Sequence, residues 1–144
     1  MDVHTRAQRS FNMSRIRSKD TKPERVVRRL LHGMGYRFRL HRKDLPGKPD
    51  VVLPKYRTVI FVNGCFWHMH ECPAGQRHPK TNSEFWTAKR DRTRVRDQEK
   101  LMALNTLGWR CLTVWECEIR DVIAVSRYLE TNLRRSILQP QGNK

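Results

Sequence analysis

At 144 residues the chain can bury one ordinary hydrophobic core but divides poorly into two. Its 30 Lys and Arg against 14 Asp and Glu leave a formal net charge of +16, far beyond the roughly 2 to 8 charges that keep a small domain soluble. The excess makes nucleic acid the first partner to consider. No stretch approaches the ~20 apolar residues of a membrane span, and the first nine residues lack the apolar centre of a signal peptide, so no membrane partner is expected and a cytoplasmic location is.

Residues 1–20 are polar and basic, with Met13 and Ile16 the only sizeable apolar side chains after Phe11, and read as a basic, DNA-contacting N-terminal arm rather than core. Thr21-Lys-Pro-Glu24 forms a capping box with proline in the first turn, and Val26, Val27, Leu30, Leu31 and Met34 follow at helical spacing. Gly33 and Gly35 end that helix. Residues 36–40 alternate as a strand, and Leu45-Pro-Gly-Lys-Pro49 turns the chain into a second strand, residues 50–53. A tight turn at 54–57 leads into a third, residues 58–62. Ser83 is a plausible N-cap for a long, basic helix reaching about residue 107, with Gly108 as its stop. Residues 109–115 form a further strand and 121–134 a last amphipathic helix. Helix, three strands, helix, strand and helix define an α/β fold with a mixed central sheet flanked by helices. This predicts one domain over residues 21–135 and a disordered tail over 136–144.

Two sites of chemistry stand out. Cys65-Phe-Trp-His-Met-His-Glu-Cys72 sets two thiols, two imidazoles and two large aromatics directly after an apolar strand. Cys65, His70 and Cys72 supply three ligands that a short loop can bring to about 2.0 to 2.3 Å of one zinc ion. Cys111 and Cys117 are the thiols left for the fourth position, and Cys117, beyond the strand, is the freer to reach it. In a reducing compartment such a cluster suits metal better than disulfides. The second site centres on Pro49-Asp50, since a carboxylate at a strand start beside a strand ending in polar residues suits a hard divalent cation. Glu24 at a helix start, His68 in the cysteine loop and Asp97 within a run of arginines are its candidate company. Magnesium there activates water and neutralises a scissile phosphate. Phe66, Trp67 and Trp86 sit in or beside polar segments without apolar periodicity and suit DNA contact, whereas Trp109 and Trp115, on a strand, read as core. The run from Lys89 to Arg96 is assigned to phosphate contact. His4, His32, His41 and His78 receive no role beyond surface or structural histidines.

These residues, in this order, resemble the very short patch repair endonucleases, bacterial enzymes that nick DNA beside T:G mismatches left by deamination of 5-methylcytosine. The resemblance covers nearly the whole chain: Arg9-Ser10, Asn12-Met-Ser-Arg-Ile16, Asp20-Thr21 with Glu24, Leu45-Pro-Gly-Lys-Pro-Asp50, Val59-Ile-Phe61, Gly64-Cys-Phe-Trp-His68, Glu84-Phe-Trp86, Arg96-Asp97, Leu107-Gly-Trp-Arg110 and Val114-Trp-Glu-Cys117. It implies a restriction-endonuclease-like core, Asp50 as the catalytic, magnesium-ligating aspartate, His68 as general acid or base, and Glu24 and Asp97 as acidic residues lining the same site. It implies a structural zinc held by Cys65, His70, Cys72 and Cys117. Phe66, Trp67 and Trp86 then enter the major groove beside the mismatch, and Met13 intercalates from the minor-groove side. The implied partners are double-stranded DNA with a T:G mismatch and a functional link to a cytosine-5 DNA methyltransferase; one wedge per lesion suggests a monomer.

Two departures qualify the resemblance. Where the best-known members carry Thr-His before the Gly-Cys-Phe-Trp block, this chain has Val62-Asn63. The Val62 carbonyl still suits magnesium, but Asn63 cannot change protonation, so its share is limited to hydrogen bonding. The third strand also lacks the Glu-x-Lys pair of the wider fold, which removes lysine as the water activator. Competing readings are a restriction-type endonuclease that cuts paired DNA and a zinc-stapled DNA-binding module without catalysis.

Overall fold

The computed structural model describes residues 21–78 and 80–138, without the side chains of residues 135–138. The expected arm, with Met13, and the tail beyond residue 138 lie outside the described residues. Helix α1 spans Lys22–Gly33, with Pro23 in its first turn and Thr21 as N-cap, whose hydroxyl accepts the Glu24 N–H at 3.4 Å. The helix closes where the Tyr36 N–H returns to the Leu31 carbonyl at 3.0 Å.

Strand β1 is only Arg39–Leu40, shorter than its alternation suggested. Its partner β2, Val51–Leu53, stops at Pro54, which carries no N–H to extend the ladder. Tyr36 and Phe38 therefore pack on the edge of the core without a strand opposite them. A 3₁₀ turn, Pro54–Tyr56, and Arg57 at φ 50° lead into β3, Thr58–Asn63. It runs antiparallel to β2 with Val51 opposite Ile60 and Leu53 opposite Thr58. Strand β4, Arg110–Trp115, lies parallel to β3 from Thr58 opposite Arg110 to Asn63 opposite Trp115. The sheet order is β1-β2-β3-β4, so it is mixed. The parallel pair demands a crossover, which helix α2, Ser83–Thr106, supplies. Asn82, at φ 54° and without a side-chain cap, occupies the N-cap position, so Ser83 is the first helical residue rather than the cap. The last helix, α3, is Val122–Leu138 and runs past the expected stop near residue 134. Asp121 caps it by accepting the Ala124 N–H at 3.0 Å.

Alternate residues of β2 and β3 face two different layers, which explains their nearly unbroken apolar sequence. On one face Val51, Leu53 and Ile60, with Leu112 and Val114 of β4, meet Val27 and Leu31 of α1 and Val125, Leu129 and Leu133 of α3. On the other, Val52, Val59 and Phe61 meet Leu45, Trp109 and Leu104 of α2. Trp109 is core, as its strand position suggested, while Trp115 is only half-buried. The sheet is thus a middle layer between α1 with α3 and α2. The start of β2, the end of β3 and the N-terminus of α1 converge at one end of it.

Candidate active site and metal centre

At that end an open cleft of about 920 Å³ is lined by Glu24, Lys48, Asp50, Val62, Asn63, Trp67, His68 and Lys100, among others. Asp50 stands just before β2, and its Oδ2 accepts the Val62 N–H at 2.7 Å, locking one carboxylate oxygen to β3. Burial pushes the Asp50 carboxyl up to about 6; Glu24 adds to the rise, while the Val62 hydrogen bond and the charges of His41 and Lys100 oppose it. Glu24, buried on the first turn of α1, turns toward His41, whose Nε2 lies 3.5 Å from Glu24 Oε2. Glu24, His41 and Asp50 each offer a ligand atom within 4.8 Å of the others. Two carboxylates and an imidazole so placed suit a divalent cation. Asn63 is buried at the end of β3 and lines the same cleft.

Across the cleft His68 Nδ1 lies 2.5 Å from Asp97 Oδ2 of α2, and Lys100 Nζ lies 3.0 Å from Asp97 Oδ1. Burial raises the Asp97 carboxyl, but hydrogen bonds from His68 and Lys100 outweigh it and leave the group below the ordinary carboxylate range. An ionised Asp97 fixes the proton on His68 Nδ1 and leaves Nε2 as the nitrogen that can give or take one. Asp97 therefore orients His68 rather than joining Glu24 and Asp50. Gly47, at φ +73°, lets the loop before Asp50 pass over Lys100; a Cβ there would stand 2.6 Å from Lys100 Cδ.

Behind this wall lies the sulfur cluster. Cys65, His70, Cys72 and Cys117 offer ligand atoms that all lie within 4.8 Å of one another. Cys117 Sγ stands 3.5 Å from His70 Nδ1, about the edge of a tetrahedron built from ~2.3 Å Zn–S and ~2.0 Å Zn–N bonds. The donor set thus fits a closed structural zinc site. Of the two remaining thiols Cys117, from the 3₁₀ turn Glu116–Arg120, completes the set, and Cys111 packs against the α2 side of the core. Burial pushes the Cys65 thiol up to about 12, whereas the Gly75 N–H lowers that of Cys72 to about 6. Trp115 stacks on His70 with ring centres 4.1 Å apart, so this tryptophan belongs to the cysteine and histidine cluster more than to the core.

Three features escaped the sequence reading. Arg90, within the run assigned to phosphate, is instead 2% exposed. Its guanidinium donates to the carbonyls of Phe66 and Arg77, at 2.8 Å each, and of Gly75. It holds the cysteine loop onto α2. His41, given no role beyond a surface or structural histidine, stands beside Glu24 and Asp50. Although β3 carries no lysine, Lys100 reaches the cleft from α2. Beside the loop, Trp67 and Trp86 approach with ring centres 5.3 Å apart, Phe66 lies 5.2 Å from Trp67, and Phe85 lies 5.2 Å from Trp86. Phe85 is 59% exposed and ends this aromatic row.

A mixed sheet between helices, with clustered carboxylates and an aspartate-paired histidine converging at one end, defines a nuclease-type α/β domain. The catalytic domain of the homing endonuclease I-Bth0305I shares this fold, with a TM-score of 0.58 over 82% of this chain and 99% of that domain at 24% identity. The profile of the family described as DNA mismatch endonuclease Vsr matches residues 1–74, and the chain belongs to that family. It is 53% identical to the type II nicking enzyme V.XorIIP of Xanthomonas oryzae pv. oryzae, over 92% of this chain and 93% of that one. It is 46% identical to the DNA mismatch endonuclease Vsr of Escherichia coli, over 83% of this chain and 76% of that one.

Proposed function

We propose that this protein is a DNA mismatch endonuclease that nicks one strand on the 5′ side of the thymine of a T:G mispair, the lesion left by deamination of 5-methylcytosine. The observation that carries this is the pairing, in one cleft, of the Glu24, His41 and Asp50 cluster with the His68–Asp97 couple. Asp50 and Glu24, with the Val62 carbonyl, would hold magnesium, which when bound would offset charge on the scissile phosphate and make an attacking water more acidic. His68 Nε2 donates a proton to the departing 3′ oxygen, leaving a 5′-phosphate, and Asn63 hydrogen-bonds within the site. Lys48 and Lys100 line the cleft and attract the phosphate backbone. Phe66, Trp67 and Trp86, with Met13 of the arm, wedge beside the mispair; unstacking costs a few kcal/mol per step and least at a mismatch. Zinc on Cys65, His70, Cys72 and Cys117 holds the wedge loop rigid. The protein acts as a monomer in the cytoplasm, with a cytosine-5 methyltransferase as its functional counterpart. No helix among the described residues is long and apolar enough to cross a membrane.

The test is nicking of end-labelled duplexes, T:G mismatched or fully paired, in several flanking contexts, with and without magnesium, by the protein and by Asp50→Ala. Magnesium-dependent nicking of the T:G strand alone, lost in the variant, is the expected result. Cutting of paired DNA would move the protein to the restriction class. Mismatch binding without cleavage in any context would make it a binding module.

A further inference from the structure

We propose that His41 is a third protein ligand of the catalytic cation and that its imidazole makes the site favour a first-row transition cation such as manganese over magnesium. This rests on the reading of the cleft as a cation site and changes the ion it prefers, with magnesium still able to support nicking at higher concentration.

The first support is position. His41 Nε2 is 3.5 Å from Glu24 Oε2, and both lie within 4.8 Å of a ligand oxygen of Asp50. Neighbouring ligands of an octahedral ion with bonds of about 2.1 Å stand about 3.0 Å apart and opposite ones about 4.2 Å, so small side-chain shifts bring all three onto one ion. Two different strand ends and a helix start contribute one donor each.

The second support is backbone conformation. His41 sits at φ +51° and Lys48 at φ +47°, left-handed conformations uncommon outside glycine that persist where the surroundings over-determine them. His41 donates its N–H to the Asp50 carbonyl at 3.3 Å. Directly after it Arg42 grips Asp44 with a two-bond fork, at 3.0 and 2.6 Å. The loop between β1 and β2 is thus bent and clamped in the form that delivers this imidazole to the two carboxylates. A histidine serving only the surface needs no such arrangement.

The third support is the ligand set itself. Asn63 ends β3 in the cleft with a neutral amide, so β3 brings no imidazole to this end of the sheet, and the β1–β2 loop brings one instead. Magnesium prefers an all-oxygen shell and sheds water reluctantly. First-row transition cations accept imidazole nitrogen readily, in the order that rises from manganese toward copper. Exchanging one oxygen donor for nitrogen therefore tilts the choice of ion.

The experiment uses zinc-loaded full-length protein and manganese as the probe. Manganese and magnesium affinities are measured by titration followed by electron paramagnetic resonance, with magnesium as competitor, for the wild type, His41→Gln and Asp50→Ala. Pulsed resonance reads nitrogen coupling to the bound manganese. The wild type is expected to hold manganese at least about tenfold tighter than magnesium and to show one directly bound nitrogen. His41→Gln is expected to lose that coupling and roughly tenfold in manganese affinity, with less than about a threefold change for magnesium. Asp50→Ala loses both ions, which places them in this cleft. Absence of the nitrogen signal in the wild type overturns the proposal even if a variant folds poorly, and a His68→Gln protein that keeps the signal excludes the other imidazole of the cleft. Absence of nitrogen coupling, or a His41→Gln protein that binds both ions as the wild type does, overturns the proposal and reduces His41 to an ion-pair partner of Glu24. The two readings fail separately. T:G nicking with magnesium but no nitrogen coupling leaves the endonuclease and removes His41 from the ion, while nitrogen coupling without any DNA cleavage keeps the ion site and removes the endonuclease.

Discussion

Asp50 is held where a carboxylate is most useful to a cation and least comfortable without one. Its carboxyl, pushed up to about 6 by burial, titrates near ~3.9 in an unfolded chain. Between these values the folded state binds more protons than the unfolded one, so the group favours the fold in acid and that contribution is lost as pH rises through 6. Asp50→Asn keeps an acceptor for the Val62 N–H and removes the buried charge. In metal-free protein it is expected to stabilise the fold by about 2 to 3 kcal/mol at pH 7 and not at all below pH ~4, while abolishing nicking. Urea melts at the two pH values check this. Asp97 presents the opposite case, a carboxylate kept ionised by His68 and Lys100. Asp97→Asn leaves His68 without its anchor, and nicking is expected to fall by about 10² or more with DNA affinity unchanged, measured by single-turnover rates beside binding titrations. That Asp50 and His68 share a cleft, and that Cys65, His70 and Cys72 cluster, was legible because each sits in a dense local motif, whereas Cys117 joins them from a distant turn that spacing alone left open against Cys111. His41 was not legible, since a left-handed turn rather than any spacing carries its ring to Glu24. Arg90 was hidden because nothing local separates it from the arginines around it; its partners are loop carbonyls 13 to 24 positions away.

At the scale of elements, α1 was legible almost to the residue, since Thr21 and Pro23 are local start signals that no distant contact overrides. The two inner strands were legible from their apolar runs. The length of β1 was not, because it depends on where its partner ends, and neither was the start of α2, where Asn82 takes a left-handed conformation ahead of Ser83. The segment between β3 and α2 has little apolar packing of its own and is held by three fastenings: the sulfur site, Arg90, and a close turn at Gly75, where a Cβ would run into the His70 carbonyl. Each fastening is testable. Arg90→Met leaves three carbonyls without their donor and is expected to cost about 3 kcal/mol; Arg90→Lys, which cannot span all three, should cost nearly as much. Both variants should also release zinc faster to a colorimetric chelator. Stripping the metal from the wild type is expected to lower its melting temperature, with readdition of zinc restoring it. A melting curve indifferent to zinc would make the cluster a set of ordinary thiols.

For the whole molecule, the proposed function divides the work of finding a lesion between charge and shape. A net charge of +16 attracts any DNA, and counterion release makes that attraction steeply dependent on salt while carrying no information about pairing. The aromatic row from Phe66 through Trp67 and Trp86 to Phe85 carries no charge and so little salt dependence, yet as the proposed wedge it would meet a penalty that differs between paired and mispaired steps. Lys89 ties the two systems together, its Nζ standing 5.2 Å from the Trp67 ring centre and 5.9 Å from that of Trp86. The two contributions should therefore separate under mutation. Arg92→Gln or Arg96→Gln, on exposed positions of α2, is expected to lower the slope of log affinity against log salt by about 1 each and to weaken T:G and paired duplexes alike. Trp86→Ala is expected to leave the slope unchanged and to lose about 1 to 3 kcal/mol of preference for the T:G duplex. Phe85→Ala, at the end of the row, should lose a smaller part of the same preference. Fluorescence anisotropy with both duplexes over a series of salt concentrations measures slope and preference together. If Trp86→Ala weakened both duplexes equally, the aromatics would be packing for the metal loop, and discrimination would have to reside in the cleft.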